Sequence, residues 1–307
     1  MKKSKLMFRI VDAIYIAMMI IPIIFGIVLN LLTKPASEGI TVTGARVFFV
    51  IPMPVQDFII SESQINSALV MIVLFFFCLF MTHGISQRIK LKRQHFAELI
   101  VEKVDGLVKE NMGDYFKGFS PFIIAILALS ALSSLLSLFG LYPPTSDINI
   151  VGGWAILVFV LITYYKLKAG PWVYAKGFAQ PIALLAPINF ISEFATPVSM
   201  AFRHYGNVLS GTVISVLLAA GLGGLSSSLM SNLPGFLADI PILQIGIPAV
   251  LSIYFDVFSG CLQAFIFAML TMMYISGGFP EEEYLKRKAK KLAKKNKKNQ
   301  LNINGGN

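Results

Sequence analysis

The chain has 307 residues, 56% of them hydrophobic and 14% charged, with a formal net charge of +10 and a mean hydropathy of +0.72. That is too apolar for a water-soluble domain and fits an all-α polytopic membrane protein. The two cysteines, Cys78 and Cys261, sit inside apolar runs, and the histidines His83, His95 and His204 are scattered, so neither a disulfide framework nor a metal site is expected.

The placement of charge says more than its sum. Of the 26 Lys and Arg, 23 fall in residues 1–9, 87–118, 166–176 and 286–298; Lys34, Arg46 and Arg203 are the others. Apolar segments separate these regions in alternation. The excess of positive charge therefore puts all four on the cytoplasmic side, and with them both termini.

The first apolar segment, about residues 12–32, follows the basic start MKKSKLMFRI. A basic start and an apolar run also describe a signal peptide. No small-residue cleavage site ends this run, and Lys34-Pro35 follows it, so a retained spanning helix is expected. Residues 33–64 carry Pro35, Gly39, Gly44, Pro52 and Pro54 and read as an outside loop with short strands. A second span, about 64–85, runs into the basic patch QRIKLKRQ. Beyond it, Phe96, Leu99, Ile100, Val104, Leu107, Val108 and Met112 recur at helical spacing with charges opposite, which predicts an amphipathic helix on the cytoplasmic surface.

Residues 120–140 and about 150–169 form the third and fourth spans, an antiparallel hairpin closed by LYPPTSDINI. GPWVYAKGFAQP is expected to be an inside turn with interfacial aromatics. The fifth segment, about 181–230, is far longer than the roughly 20 residues needed to cross a bilayer. It must tilt, or begin with an interfacial turn. SNLPGFLADIP links it to a sixth long segment, about 241–277, on which Asp256, Ser259 and Gln263 lie near one face, with Thr271 farther along. The tail is basic and low in complexity. It reads as a solvated cytoplasmic segment that also meets anionic lipid; nothing points to nucleic acid.

Within the fifth segment, Thr196, Ser199, Arg203, Asn207 and Ser210 follow one another at steps of three and four, so a helix places them on one face. Gly206 and Gly211 lie beside them. Arg203 is a permanent cation, because its pKa exceeds about 12. A charge at bilayer depth costs about 2.5–3.5 kcal/mol on insertion scales, so its default reading is functional. That stripe should face protein or water. Glu193 is the one acid of residues 181–230. It is ten residues, about 15 Å along a helix, from Arg203, too far for a direct pair. No Walker motif, GxGxxG, nucleophile–base pair or paired carboxylate is present, and the chain does not read as an enzyme. Two readings stay open on these grounds: a non-transporting membrane scaffold, against which the polar stripes argue, or a secondary transporter holding an anion at Arg203. No internal repeat supports the second.

The run PVSMAFRHYGNVLSG, followed by CLQAFIFAMLTMMYIS, resembles subunit a of the membrane sector of F-type rotary ATP synthases over about residues 65–278. The signature residues are Ser199, Arg203, Gly206 and Asn207, joined by the QAFIF run from Gln263 to Phe267. His204-Tyr205 stands where a Leu-Phe pair is commoner, and Thr212 stands just after Gly211, where many members carry an acid. A carboxylate is present instead at Asp256, seven residues before Gln263. The resemblance implies six spans with the last two long and tilted, and a division into an extra span and outside loop (1–64), the subunit core (65–278) and a basic tail (279–307). It implies ion translocation, most simply of protons with sodium as the alternative, through two half-channels against a rotating ring of c subunits. It also implies a b-subunit stalk and the remaining synthase subunits as partners, membrane lipid around them, and a bacterial plasma-membrane location. Arg203, Asn207, Gln263, Asp256, Glu193 and Ser199 would carry the translocation, with no catalytic residue, cofactor or metal in this chain.

Overall fold

The computed structural model describes residues 2–33, 44–54, 56–85, 92–168, 170–179, 182–230, 246, 250–251, 253–282, 284–290 and 292–293. The expected link at 231–241, residues 34–43 of the outer loop, 86–91 of the basic patch and 294–307 of the tail lie outside the described residues. So does most of the stretch before residue 253 in the sixth segment. Among the described residues, six helices are long and apolar enough to cross a membrane: Leu6–Thr33, Glu62–Thr82, Asp114–Phe139, Ile148–Lys168, Ala186–Leu229 and Ile253–Gly277.

The first helix, α1 (Lys2–Thr33), lies along α2 (Glu62–Thr82). The close approach occurs at Gly26, where a Cβ would fall 2.8 Å from Leu69 Cδ1. Polar ties close the pair at both ends. At the basic end, Arg93 Nη1 donates to Asp12 at 2.8 Å, His83 Nδ1 lies 2.9 Å from the same carboxylate, and Phe8 stacks on His83. At the far end, Arg46 donates to both oxygens of Glu62, at 2.8 and 2.9 Å, and Asn30 donates to the Gly140 carbonyl at 2.6 Å. The hydrogen bond with Glu62 raises the Arg46 pKa above its ordinary value. Arg46 is held in register by a two-stranded hairpin, β1 (Val47–Ile51) and β2 (Phe58–Ser61), paired antiparallel with Ile51 opposite Phe58. These are the short strands expected in the outer loop.

The amphipathic helix α3 (Lys92–Met112) differs from its expectation in what it touches. Its second half turns Val108 and Met112 into the protein core, with Val104 and Leu107 packed alongside, while Phe96, Leu99 and Ile100 stay exposed. The apolar face is thus shared between the bundle and its surroundings, and only the first half is open to lie on a membrane surface. A short 3-10 turn, Asp114–Phe119, leads into α4 (Ser120–Leu135). Next come the link through Gly140, and α5 (Ile148–Lys168). The link is tied down rather than loose: Asn66 donates to the Tyr142 carbonyl at 2.8 Å, Ser63 donates to Asp147, and burial beside Asp147 raises the Tyr142 pKa.

The segment expected as an inside turn is a short helix, α6 (Pro171–Phe178), started by a proline whose missing N–H falls where no intrahelical partner exists. One 3-10 turn, Ala183–Leu185, precedes α7 (Ala186–Met230), 45 residues in one helix with Pro197 inside it. At 1.5 Å per residue α7 is about 67 Å long, twice a hydrocarbon core of about 30 Å, and so must lie oblique to the membrane. The last span opens with a π-helical turn, Ile253–Ser259, and continues as α8 (Gly260–Gly277). Gly260 lets α8 approach α4, where a Cβ would lie 2.8 Å from Ser134 Cβ. The core gathers Ile123 of α4, Val158 and Ile162 of α5, Met200 of α7, and Phe267, Met272 and Ile275 of α8.

The Glu62 side chain is only 8% exposed. Removing it leaves the Arg46 guanidinium without its carboxylate, so Glu62→Ala should lower stability by about 1–3 kcal/mol. Thermal unfolding of the purified protein in detergent reads this. Lys117→Ala, which removes an exposed pair with Asp114, should leave the melting temperature unchanged.

Candidate functional site

Helix α7 presents two unlike faces. Pro197, Met200, Ala201, His204 and Gly211 recur at steps of one, three and seven and are buried on the face turned toward the bundle. Ser199, Phe202, Arg203 and Ser210 are exposed. Adjacent helical residues point about 100° apart. Burying His204 therefore turns Arg203 outward, onto the surface of the long helix. No ion pair to Arg203 exists among the described residues.

His204 is fully buried, 0% exposed. It meets Trp154 and Phe267 edge-on, with ring centroids 6.1 and 5.6 Å away. Its Nε2 lies 3.3 Å from the Ser130 hydroxyl, and its Nδ1 has no partner. This is a packing position wedged between three helices, and it fixes the rotation of α7.

One turn beyond Arg203, the Asn207 amide donates to Ser259 Oγ at 2.8 Å. The bond crosses from α7 to the end of the π turn and ties the Asn207 amide to the neighbouring helix. A further turn along, Gly211 receives the Phe255 ring, and a Cβ there would lie 3.2 Å from it. Because α7 and α8 run antiparallel, stepping back one turn from the Asn207–Ser259 crossing brings Arg203 and Gln263 to the same depth. Gln263 is 5% exposed and packs inside the bundle. Asp256 is half-buried on the π turn beside the Ser137 hydroxyl of the segment following α4. Ser137, Ser134 and Ser130 mark one face of α4 and the turn after it, running from the Asp256 level to the His204 level.

Glu193 stands elsewhere, two and a half turns from Arg203 toward the basic end. Its two carboxylate oxygens accept from Lys166 Nζ at 2.8 and 2.7 Å. Burial raises the phenol pKa of Tyr174 beside it, and the Glu193 charge adds to the shift. Among the sequence-chosen residues, Asp256, Asn207, Arg203 and Gln263 thus share the α7–α8 interface and its outer margin, Ser199 lies on the exposed face, and Glu193 lines a separate cavity. Sequence reasoning missed Lys166 as the partner of Glu193. The signal was present: the last turn of the fourth span must face the first turns of the next. It also missed Ser130, whose contact with His204 crosses 74 residues of chain.

Six helices long and apolar enough to cross a membrane, one of them with an exposed arginine midway, define a polytopic membrane protein. Residues 65–276 match the family model for the ATP synthase A chain, and the chain belongs to that family. It is 37% identical over 146 residues to the sodium-ion-specific ATP synthase subunit a of Propionigenium modestum, a match covering 47% of this chain and 43% of that one. It is 34% identical over 196 residues to ATP synthase subunit a of Priestia megaterium, covering 60% and 77%. It is 29% identical over 218 residues to ATP synthase subunit a 1 of Pelobacter propionicus, covering 69% and 85%. The protein is therefore a multi-pass membrane subunit of F-type ATP synthase that takes part in ion translocation for ATP synthesis. That membership displaces the anion transporter reading.

The rotation of α7 is open to direct test. In a chain lacking Cys78 and Cys261, Arg203→Cys should react readily with a maleimide in detergent. His204→Cys should react more than about tenfold more slowly, because a buried thiol waits on local opening. Equal rates would show a different rotation.

Proposed function

We propose that the exposed α7 face carrying Arg203 is the surface past which c-ring carboxylates travel, and that Arg203 discharges each of them as it arrives. The observation that carries this reading is Arg203 itself, turned outward from an apolar helix with no ion pair among the described residues. A carboxylate about 4 Å from such a cation, at an effective dielectric near 20, gains roughly 4 kcal/mol in its ionised form. That corresponds to about three pKa units, enough to strip the bound ion. Gly206, whose added Cβ would meet nothing within 4 Å, leaves room for a second helix to approach.

Two separate polar regions serve as the half-channels. Asp256, Gln263 and the α4 hydroxyls line the one reaching the hairpin end; the Gly211–Phe255 contact sets Asp256 near the depth of Thr212, where other members carry an acid. Glu193, Thr196 and Ser199 lead from the basic end toward Arg203. Asn207 fixes the crossing of α7 and α8 between them. The basic end faces the cytoplasm of a bacterial plasma membrane, as the clustering of Lys and Arg favours. Residues 65–278 form the working core; residues 1–64 add a span braced on α2, and 279–307 a basic tail. The ring and the b stalk are the direct partners. The ion is the proton, which exchangeable carboxyl and hydroxyl groups relay without a coordination shell. The sodium alternative draws its support from the sodium-ion-specific subunit a of Propionigenium modestum.

In vesicles carrying the assembled complex, Arg203→Ala should abolish ATP-driven ion uptake while ATP hydrolysis by the detached soluble sector persists. Passive leak through the membrane sector should rise. Arg203→Lys should remain strongly impaired, because a lysine in a dry site neutralises and lacks the planar fork. Normal coupled pumping by an assembled Arg203→Ala complex overturns the assignment. The ion is settled separately: proton uptake by the unaltered complex should be indifferent to added sodium, whereas labelled sodium uptake would establish the alternative.

A further inference from the structure

A cavity of about 870 Å³ opens at the basic end, bounded by α5, α6, the start of α7, the end of α8 and residues 280–287. Its depth in the fold is set by three spans, which end or begin at Lys168, Ala186 and Gly277. It therefore lies where a helix bundle leaves the hydrocarbon and enters the headgroup layer.

The charges on its wall do not balance. Glu193 is the one carboxylate among the lining residues, and Lys166 already occupies both of its oxygens. Three further cations line the same space: Lys176, Lys286 and Arg287. Lys286 has only Glu282 at 3.6 Å, an exposed pair of little strength. Lys176 and Arg287 form no ion pair among the described residues. The arrangement is built rather than incidental. The Arg287 guanidinium lies against the backbone of Gly170, a glycine at φ +126° where any side chain would collide with it. Residues 284–290, which carry Lys286 and Arg287, are helical. Tyr284 is locked against Tyr115 and Phe279, at ring distances of 5.6 and 5.4 Å, and lies under the Lys168 ammonium. Trp172, 70% exposed, stands on the same wall and has the amphipathic ring favoured at a membrane interface.

We propose that this cavity binds a phosphate-bearing anion, with Arg287 as a two-pronged donor and Lys176 and Lys286 as point charges around it. A planar guanidinium matches the spacing of phosphate oxygens, and ammonium groups add charge without directional demand. The volume lies in the range of ordinary small-ligand sites. Two sources share this chemistry: the phosphodiester headgroup of an acidic membrane lipid, and soluble phosphate. Position at the membrane edge and the exposed Trp172 favour the lipid. The cavity shares Glu193 and Thr196 with the basic-end path proposed above, while the three cations stand on its other walls, and lipid binding is read without any ion flux.

The test uses the assembled complex, stripped of lipid in detergent and titrated with phosphatidylglycerol or phosphatidylcholine while bound lipid is counted by native mass spectrometry. The unaltered complex should retain phosphatidylglycerol selectively. The triple substitution Lys176→Gln, Lys286→Gln, Arg287→Gln should weaken that binding by about 100-fold, at about fivefold per cation removed. Lys288→Gln, on the same helix but outside the cavity, should leave it unchanged. Lys176→Arg with Lys286→Arg should preserve it, which separates loss of charge from loss of assembly. Millimolar inorganic phosphate that fails to displace the lipid identifies a headgroup site; displacement together with cation-dependent phosphate binding identifies a soluble-phosphate site. Equal retention of both lipids, with no phosphate binding, or retention unaffected by the triple substitution in an assembled complex, overturns the proposal.

Discussion

The fold is organised around a charge that no carboxylate among the described residues neutralises. Arg203 cannot lose its proton, and the helix that carries it is apolar for most of its length. Two arrangements would relieve the penalty, an internal carboxylate or a wet cavity. The chain's nearest acid along α7, Glu193, is instead taken by Lys166. The rest of the bundle holds the cation on the exposed face of α7. Met200, Ala201 and His204 are sunk into α5 and α8, and their burial sets the direction in which Arg203 points.

Fixing a helix against rotation takes more than apolar burial, because an apolar face slides on its neighbours with little preference. The α7–α8 interface adds directional contacts. Asn207 donates to Ser259, Gly211 accepts the Phe255 ring, and His204 wedges between Trp154 and Phe267. Each contact is weak alone: hydrogen bonds between membrane helices average well under 1 kcal/mol in direct measurement. Three of them along two turns leave one rotation and one depth. The outer half of the molecule uses a different device. There α1 and the hairpin are tied by ionised pairs at the membrane edges, where Arg46 and Glu62 keep some access to water.

Much of this was legible from residue order. The six apolar runs, the alternation of Lys and Arg, and the polar stripe on the fifth segment all follow from composition and helical period, which are local properties. The apolar face of residues 96–112 was legible as a face, but its division between Val108, which the core covers, and Phe96, which it does not, depends on where α8 ends. The helix at Pro171–Phe178 was hidden behind a Gly-Pro start that equally suits a turn. Lys166 with Glu193, and Ser130 with His204, are tertiary pairs, 27 and 74 residues apart; no period in the sequence encodes them. The acceptor of the Asn207 amide, Ser259, is 52 residues away on another helix, and no local pattern marks it.

The π turn at Ile253–Ser259 carries a consequence for how this chain tolerates length. A π turn holds about one residue more than the α turn it replaces. In an ideal α-helix, Asp256 and Gln263, seven positions apart, nearly coincide in angle, and the wide turn offsets that phase. Excising a single residue between 253 and 259 would restore ordinary winding and swing one side of the break by about 100° relative to the other. The hydropathy profile would barely register the change, and every side chain would keep its chemistry. What would be lost is the phase between the carboxylate near the outer end and the amide at the level of Arg203. In this segment the number of residues carries information that their identities do not.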